Sequence, residues 1–414
     1  MVVLSDEARA VPDTATAAES LEPYFSASES SQLAAVARAA DLPVETMRYY
    51  PNLGVAYGSV DRDGYAALRS DPAVEEVVGA PQLSLIRPVQ RRSVRASATR
   101  TWGIDSLGIP ELWAEGLTGA GVVVAHLDTG VDADHDTLAG AVSSFAEFDP
   151  LGRILPGAGP RDSDDHGTHT AATIAGREAG GKVVGVAPSA SLASALVIEG
   201  GDAVARVLGG LDWSIDQGAR VLSMSLGFRG WWQDFLPIVR ILRSRGILPI
   251  IAAGNEGPGT SRSPGNYAEA LSIGAHDDSG AIAAFSSSQR FVRRRDALVP
   301  DVAAPGVNVV SAKPGGGFQT MSGTSMATPH VAGLAALLAE ADPSATVTRL
   351  ERAILASCTP VGGPVERVRK GIVNGPAALA ALRSRARVSS PRAAIPSQPS
   401  PANRERSRQR AGAR

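Results

Sequence analysis

From Thr101 onward the chain passes repeatedly through short, nearly continuous apolar runs separated by stretches of helical character. The runs are Val122–Ala125, Val183–Val186, Leu192–Ile198, Val221–Leu226, Ile247–Ala253 and Ala270–Gly274. A strand wetted on one face alternates apolar and polar residues, whereas one covered on both faces does not. Ala203–Gln217 and Asp234–Arg245 fit helices lying between such strands. This alternation predicts an α/β fold, a mostly parallel sheet with helices on both faces. Its working end is expected at the carboxyl ends of the strands.

The remaining composition excludes more than it selects. The 414 residues are 44% hydrophobic and 20% charged, with a net charge of −2, an ordinary globular balance. A near-neutral charge gives no reason to expect nucleic acid or a membrane as partner. Cys358 is the sole cysteine, so an intrachain disulfide is impossible. The first residues, Met1–Glu7, lack a basic start and an apolar core of signal-peptide length, which gives a cytoplasmic expectation.

Candidate chemistry begins at Gly323-Thr324-Ser325-Met326-Ala327-Thr328-Pro329-His330, which runs into the wholly apolar stretch Leu334–Ala339. A helix apolar all round is a buried one. Ser325 then stands at its N-terminus among free backbone N–H groups, with Pro329 expected in the first turn. Such a serine is either an N-cap or a nucleophile. A nucleophile needs a base and an orienting acid. Because His330 shares its helix, the base must come from upstream. The esterase elbow is excluded, since its last glycine is missing and that fold places histidine last.

Three upstream segments supply candidates: Asp128-Thr129-Gly130, Asp165-His166-Gly167-Thr168-His169, and Ala252-Ala253-Gly254-Asn255. With Ser325 and its flanks, their sequences and their order resemble the subtilisin-like serine proteases (subtilases). Trp102-Gly103-Ile104 and Gly371-Ile372-Val373-Asn374 stand at the ends usual for that family. The resemblance spans roughly residues 100–382. It implies a three-layer subtilisin-like fold and a serine endopeptidase working through an acyl-enzyme. Asp128 would orient His166, His166 would act as general base and Ser325 as nucleophile. Asn255 and the Ser325 backbone N–H would hold the oxyanion. His169 is read as structural. Ser225, Leu226 and Gly227 would pair with the substrate backbone, and Ala252, Ala253 and Gly254 would wall the primary specificity pocket. Gly200-Gly201 would line the opposite edge.

Residues 1–86 follow a β-α-β-α-β pattern that suits a small α+β ferredoxin-like domain. The segment Ala66–Val77 resembles a subtilase propeptide, so this domain is expected to act as an intramolecular inhibitor. Residues 87–100 hold five arginines and no acid, and read as an exposed linker and a processing site. The catalytic domain is expected over 101–383. Residues 384–414, with eight arginines and one glutamate, read as a disordered basic tail.

Two departures from the family follow from counting along the motifs. Thr137 and Ala179 fall where many subtilisins place an Asp and an Asn around calcium, and neither suits a hard cation, so no metal and no cofactor are expected. Arg262 falls at the floor of the primary pocket, where many subtilases have a small residue. A free guanidinium there would favour an acidic residue, but Glu256 could cancel it, or the arginine could point to solvent. The acid-free linker tips the expectation towards neutral or basic residues. Protein or peptide substrates and a monomer are expected. A peptide-ligating enzyme with the same triad, and a non-catalytic binding scaffold, are the competing readings.

Overall fold

The computed structural model describes all residues except 11–13, 27–31, 40–44, 81–82, 95–98, 200–202, 293–296, 363–364 and 390–414. Gly200-Gly201 and most of the basic tail therefore lie outside the described residues. The chain divides into two units, Met1–Leu382 and Arg383–Arg414.

Near the start, β1 (Val2–Leu4), β2 (Met47–Tyr50), β3 (Val55–Gly58) and β4 (Val74–Val77) form an antiparallel sheet in the order β2-β3-β1-β4. Helices α1 (Asp6–Arg9), α2 (Thr14–Glu19), α3 (Gln32–Ala39) and α4 (Arg62–Ser70) lie between its strands, and β2 is a fourth strand beyond the β-α-β-α-β pattern read from the sequence, completing a ferredoxin-like sheet. Strand alternation divides its side chains. Val2, Leu4 and Ala56 pack with Leu68 of α4, whereas Val3, Val55 and Tyr57 face the main body.

The chain then supplies two short strands, β5 (Ser84–Leu85) and β6 (Gln90–Val94), and two helices, α5 (Trp102–Ser106) and α6 (Ile109–Ala114). Most described side chains of the arginine-rich stretch are exposed, as its composition suggests, but Gln90–Val94 are held by backbone pairing with Phe318–Ser322, which needs no apolar side chains.

The main sheet has seven parallel strands in the order β17-β14-β12-β10-β7-β9-β8. These are β7 (Val123–Asp128), β8 (Val142–Glu147), β9 (Ser191–Leu196), β10 (Val221–Met224), β12 (Leu248–Ala252), β14 (Leu271–His276) and β17 (Val302–Pro305). Successive side chains serve opposite faces. Val124, Val221 and Ile250 join one apolar core, and Ala125, Leu222 and Ile251 join another. The first core includes α7 (His166–Ala175), α10 (Thr324–Ala341), α11 (Val347–Ala356) and α12 (Gly375–Ser389); the second includes α8 (Val204–Asp216) and α9 (Leu236–Ser244). Each fully buried Val, Leu or Ile contributes about 1.5–3 kcal/mol relative to exposure. This is a three-layer fold.

Smaller ladders complete it. β11 (Leu226–Arg229) lies between β13 (Arg262–Ser263) and β5, β15 (Gln289–Arg290) pairs with β16 (Leu298–Val299), and β19 (Phe318–Ser322) lies between β18 (Val309–Ala312) and β6.

Two local expectations are corrected. Val183–Val186 is not a strand of the sheet: Val184 and Val186 are buried beside α7, and Val186 donates its N–H to Thr173 O. Gly333 of α10 has no side chain where Val186 packs, so two helices and this segment meet closely. Pro329 is also not in the first turn. With Gly323 as N-cap it is the sixth helical residue, and the carbonyl it cannot bond, that of Ser325, accepts instead from the Ser225 hydroxyl at 3.4 Å.

Candidate active site

Asp128 is the last residue of β7, at the carboxyl end where a doubly wound sheet presents its chemistry. It is fully buried, and one carboxylate oxygen accepts from Thr129 N at 2.7 Å and from His166 Nδ1 at 2.6 Å. The other accepts from the Thr170 hydroxyl at 3.1 Å. Burial alone would raise the Asp128 pKa, but His166 and the surrounding donors outweigh it and hold the carboxyl below its ordinary value.

His166 opens α7, directly after Asp165. Its helix start is braced by Asp162, which accepts from the Thr129 hydroxyl (2.7 Å), Thr168 N (2.7 Å) and the Thr168 hydroxyl (2.6 Å). Gly167 fits against the Gly130 carbonyl, where an added Cβ would collide. With Nδ1 committed to Asp128, the unshared pair sits on Nε2, which is buried without a hydrogen-bond partner.

His126 lies behind this pair. It bonds the hydroxyls of Ser194 (3.0 Å) and Thr170 (2.9 Å), and Nε2 is 3.8 Å from Asp128. Burial holds its pKa down at about 4, so it is neutral at pH 7. His126 and Ser194 are both fully buried in adjacent strands, and together with Asp128 they make a second Ser–His–Asp grouping beneath the surface.

Ser325 is the second residue of α10, not its cap, which frees the side chain. Its hydroxyl donates to the Ile86 carbonyl at 2.6 Å. Asn255 lies just past β12, with its side-chain oxygen accepting from Thr324 N and the Thr324 hydroxyl, both at 2.9 Å. Its amide nitrogen consequently faces the cleft, where it donates to the Arg87 carbonyl at 2.9 Å. His169, by contrast, bonds Val309 O at 3.0 Å and is buried away from the cleft.

The cleft is occupied by the chain itself. Leu85 and Ser84 pair antiparallel with Leu226 and Gly227, and Ile86 N donates to Ser225 O at 3.0 Å. Ala252, Ala253 and Gly254 continue β12 alongside, and Arg262 N donates to Ala253 O at 3.0 Å. The Arg262 side chain is buried rather than solvated. It forms an ion pair with Glu256 and donates to Ser84 Oγ (3.1 Å) and Gly227 O (3.3 Å). Glu256 would be raised by burial, but Arg262 pulls it below its ordinary value. The Arg262–Glu256 pair is one of the alternatives open in the sequence, whereas the bracing by Asp162 leaves no local motif.

Neither Thr137 nor Ala179 offers calcium a carboxylate or an amide oxygen from its side chain. The Thr137 hydroxyl is tied to His135 Nδ1 at 2.9 Å, and Ala179 exchanges backbone hydrogen bonds with Lys182. Arg177 donates to Pro188 O (3.2 Å) and Ala139 O (2.5 Å), using carbonyl oxygens of the neighbouring loops.

An aspartate-oriented histidine, a serine at a helix start and an amide turned towards a bound backbone define a serine hydrolase acting on peptides. The family model "Subtilase family" matches residues 119–375. An alkaline protease of Shouchella clausii is 31% identical over 84% of this chain and 85% of its own length. Subtilisin Savinase of Lederbergia lenta is 36% identical over 67% and 97%. Subtilisin E of Bacillus subtilis strain 168 is 34% identical over 76% and 80%. The chain belongs to the subtilase family and is a serine endopeptidase.

Proposed function

We propose that Ser325 attacks the scissile carbonyl, that His166 Nε2 takes its proton and later returns it to the leaving amine, and that Asp128 fixes the imidazole tautomer and stabilises the imidazolium. The Asn255 amide and the Ser325 N–H would hold the oxyanion. The observation that carries this reading is the buried His166–Asp128 hydrogen bond at 2.6 Å with Nε2 left uncommitted.

The substrate would lie as an added strand along Ser225-Leu226-Gly227, as residues 84–86 do here. The Arg262–Glu256 pair neutralises the floor of the primary pocket, which supports cleavage after neutral residues over acidic ones. Residues 1–86 would act as an intramolecular inhibitor, since their C-terminal end fills that strand position.

The test is peptide hydrolysis by Ser325→Ala, His166→Ala and the double variant, after removal of residues 1–100 by added trypsin and quenching of the trypsin. Each single change is expected to lower kcat by several orders of magnitude, the scale known for subtilisin triads, and the double change no further. Additive losses would refute a triad acting as one unit.

A further inference from the structure

His126, Ser194 and Thr170 are buried behind Asp128, and the proposed reaction uses none of them. Their placement follows from two periodicities. Successive residues of a strand serve opposite faces, so His126 and Asp128 of β7 lie on the same one. Residues four apart on a helix share a face, so His166 and Thr170 of α7 meet them together. The result is two stacked pairs. Asp128 holds His166 Nδ1 at 2.6 Å, and His126 Nε2 lies 2.9 Å from the Thr170 hydroxyl. Thr170 links the pairs, 3.1 Å from the Asp128 oxygen that His166 does not use.

The direction of these bonds follows from the supply of protons. The Thr170 hydroxyl has one proton and faces three acceptors, Asp128 Oδ2 and the carbonyls of His166 (3.2 Å) and Gly167 (3.0 Å). The carboxylate is the strongest of the three. His126 decides whether it receives the proton. The imidazole is neutral at pH 7, so one ring nitrogen carries hydrogen and the other does not. Protonated on Nδ1, His126 would turn a lone pair to Thr170 and become a fourth claimant. Protonated on Nε2, it donates to the Thr170 oxygen and leaves the hydroxyl proton to Asp128.

Ser194 selects the second arrangement. It faces His126 across β7 and β9, with its hydroxyl 3.0 Å from Nδ1, its only side-chain hydrogen bond among the described residues. Donating there uses the serine proton, whereas accepting would leave that proton buried without a partner. Ser194 O–H, His126 Nε2–H and Thr170 O–H therefore run in one direction and end on Asp128 Oδ2, each bond polarising the next. Asp128 Oδ1 takes Thr129 N and His166 Nδ1. A carboxylate held at both oxygens cannot rotate away from the histidine.

We propose that His126 is a positioning residue for catalysis, acting through Thr170 to hold the Asp128 carboxylate in the orientation that serves His166. Ser194 is then no second nucleophile but the group that sets the His126 tautomer. This rests on the catalytic roles proposed above.

The experiment is steady-state peptide hydrolysis by the trypsin-cut protein, with active sites counted by fluorophosphonate so that kcat refers to folded enzyme. His126→Phe and His126→Asn remove the N–H that reaches Thr170. His126→Gln restores one at the same number of bonds from the backbone. The first two are expected to lower kcat about tenfold, the effect of losing a charge-assisted hydrogen bond, with KM nearly unchanged. His126→Gln should keep most of the wild-type kcat. Thr170→Val should lower kcat at least as far, and adding His126→Phe or His126→Asn to it should lower it no further, because both residues act through one hydroxyl. Wild-type kcat in His126→Phe and His126→Asn would overturn the proposal. So would an equal loss in His126→Gln, or losses that add in the double variants. A His166→Ala enzyme as active as wild type would overturn the catalytic roles, on which this one rests.

Discussion

Asn255 and Thr324 are locked together, the asparagine oxygen receiving both the backbone N–H and the hydroxyl of the threonine at 2.9 Å. An amide has one acceptor end and one donor end, so holding the oxygen fixes where the nitrogen points. Thr324, the residue before Ser325, thereby aims the Asn255 amide, the oxyanion donor proposed above. Asn255→Ala in the trypsin-activated enzyme is expected to lower kcat by about 10²–10³, the scale known for this loss in subtilisin. Thr324→Val should lower kcat by less, with little change in KM. A Thr324→Val enzyme with unchanged kcat would show that the hydroxyl does not orient the amide.

The proposed placing of Arg262 at the floor of the primary pocket gives a second prediction. With Arg262 neutralised by Glu256, a peptide library varied at the residue before the scissile bond should show no preference for Asp or Glu. In Arg262→Gly the half-buried Glu256 loses its buried cation and keeps the exposed Arg229, 3.6 Å away, with the Asn255 N–H and the Ser287 hydroxyl on its other oxygen. Cleavage after Lys and Arg is then expected to rise about tenfold, the worth of one charge-assisted contact. Strong cleavage after Asp or Glu by the wild type, lost in the variant, would contradict the neutralised floor.

How much of this is legible in the sequence depends on the range of the contacts involved. Asp128, His166, Asn255 and Ser325 each stand at an element end within a local run, which a reader of one segment at a time can find. The two-sided burial of β10 and β12 is equally local, because it writes itself as an unbroken apolar run. Edge strand β8, Val-Ser-Ser-Phe-Ala-Glu, carries no such run because one of its sides has no strand neighbour. The pairing of Arg91 with Asp164 and Asp165, over more than 70 positions, leaves no local trace at all. For the same reason residues 87–100 read as a solvated connector: composition reports the side chains, while β6 is held by its backbone.

Buried histidines predict an acid-sensitive fold. Burial lowers the pKa of His126 and His330 to about 4 and that of His169 to about 3, all from an ordinary 6.5. Between those values and 6.5 the unfolded chain binds protons that the folded chain does not, so stability rises with pH across that window. It is fully present above 6.5 and is lost as pH falls towards 4, at up to about 1.4 kcal/mol per pH unit per histidine. Asp212, pushed up to about 6 by burial, opposes this over a narrower range. Urea melts of the Ser325→Ala chain at pH 7 and pH 5 should place the midpoint lower at pH 5. Equal midpoints would contradict the neutral buried state.

Chelation provides a separate check. With the Thr137 hydroxyl tied to His135, and Arg177 bonded to Ala139 O and Pro188 O, excess chelator is expected to leave the melting temperature nearly unchanged. An ion held at 100 times its dissociation constant would contribute about 2.7 kcal/mol, so its removal would lower the melting temperature by several degrees. A drop of that size would reveal a metal site elsewhere.

The most direct measurement of the central claim is the position of a covalent label. The trypsin-cut protein is treated with a fluorophosphonate and digested, and the modified serine is located by peptide mass. The predicted result is a single adduct on Ser325, absent from His166→Ala. An adduct on another serine, such as Ser194 beside His126, or labelling undiminished in Ser325→Ala, would contradict the account.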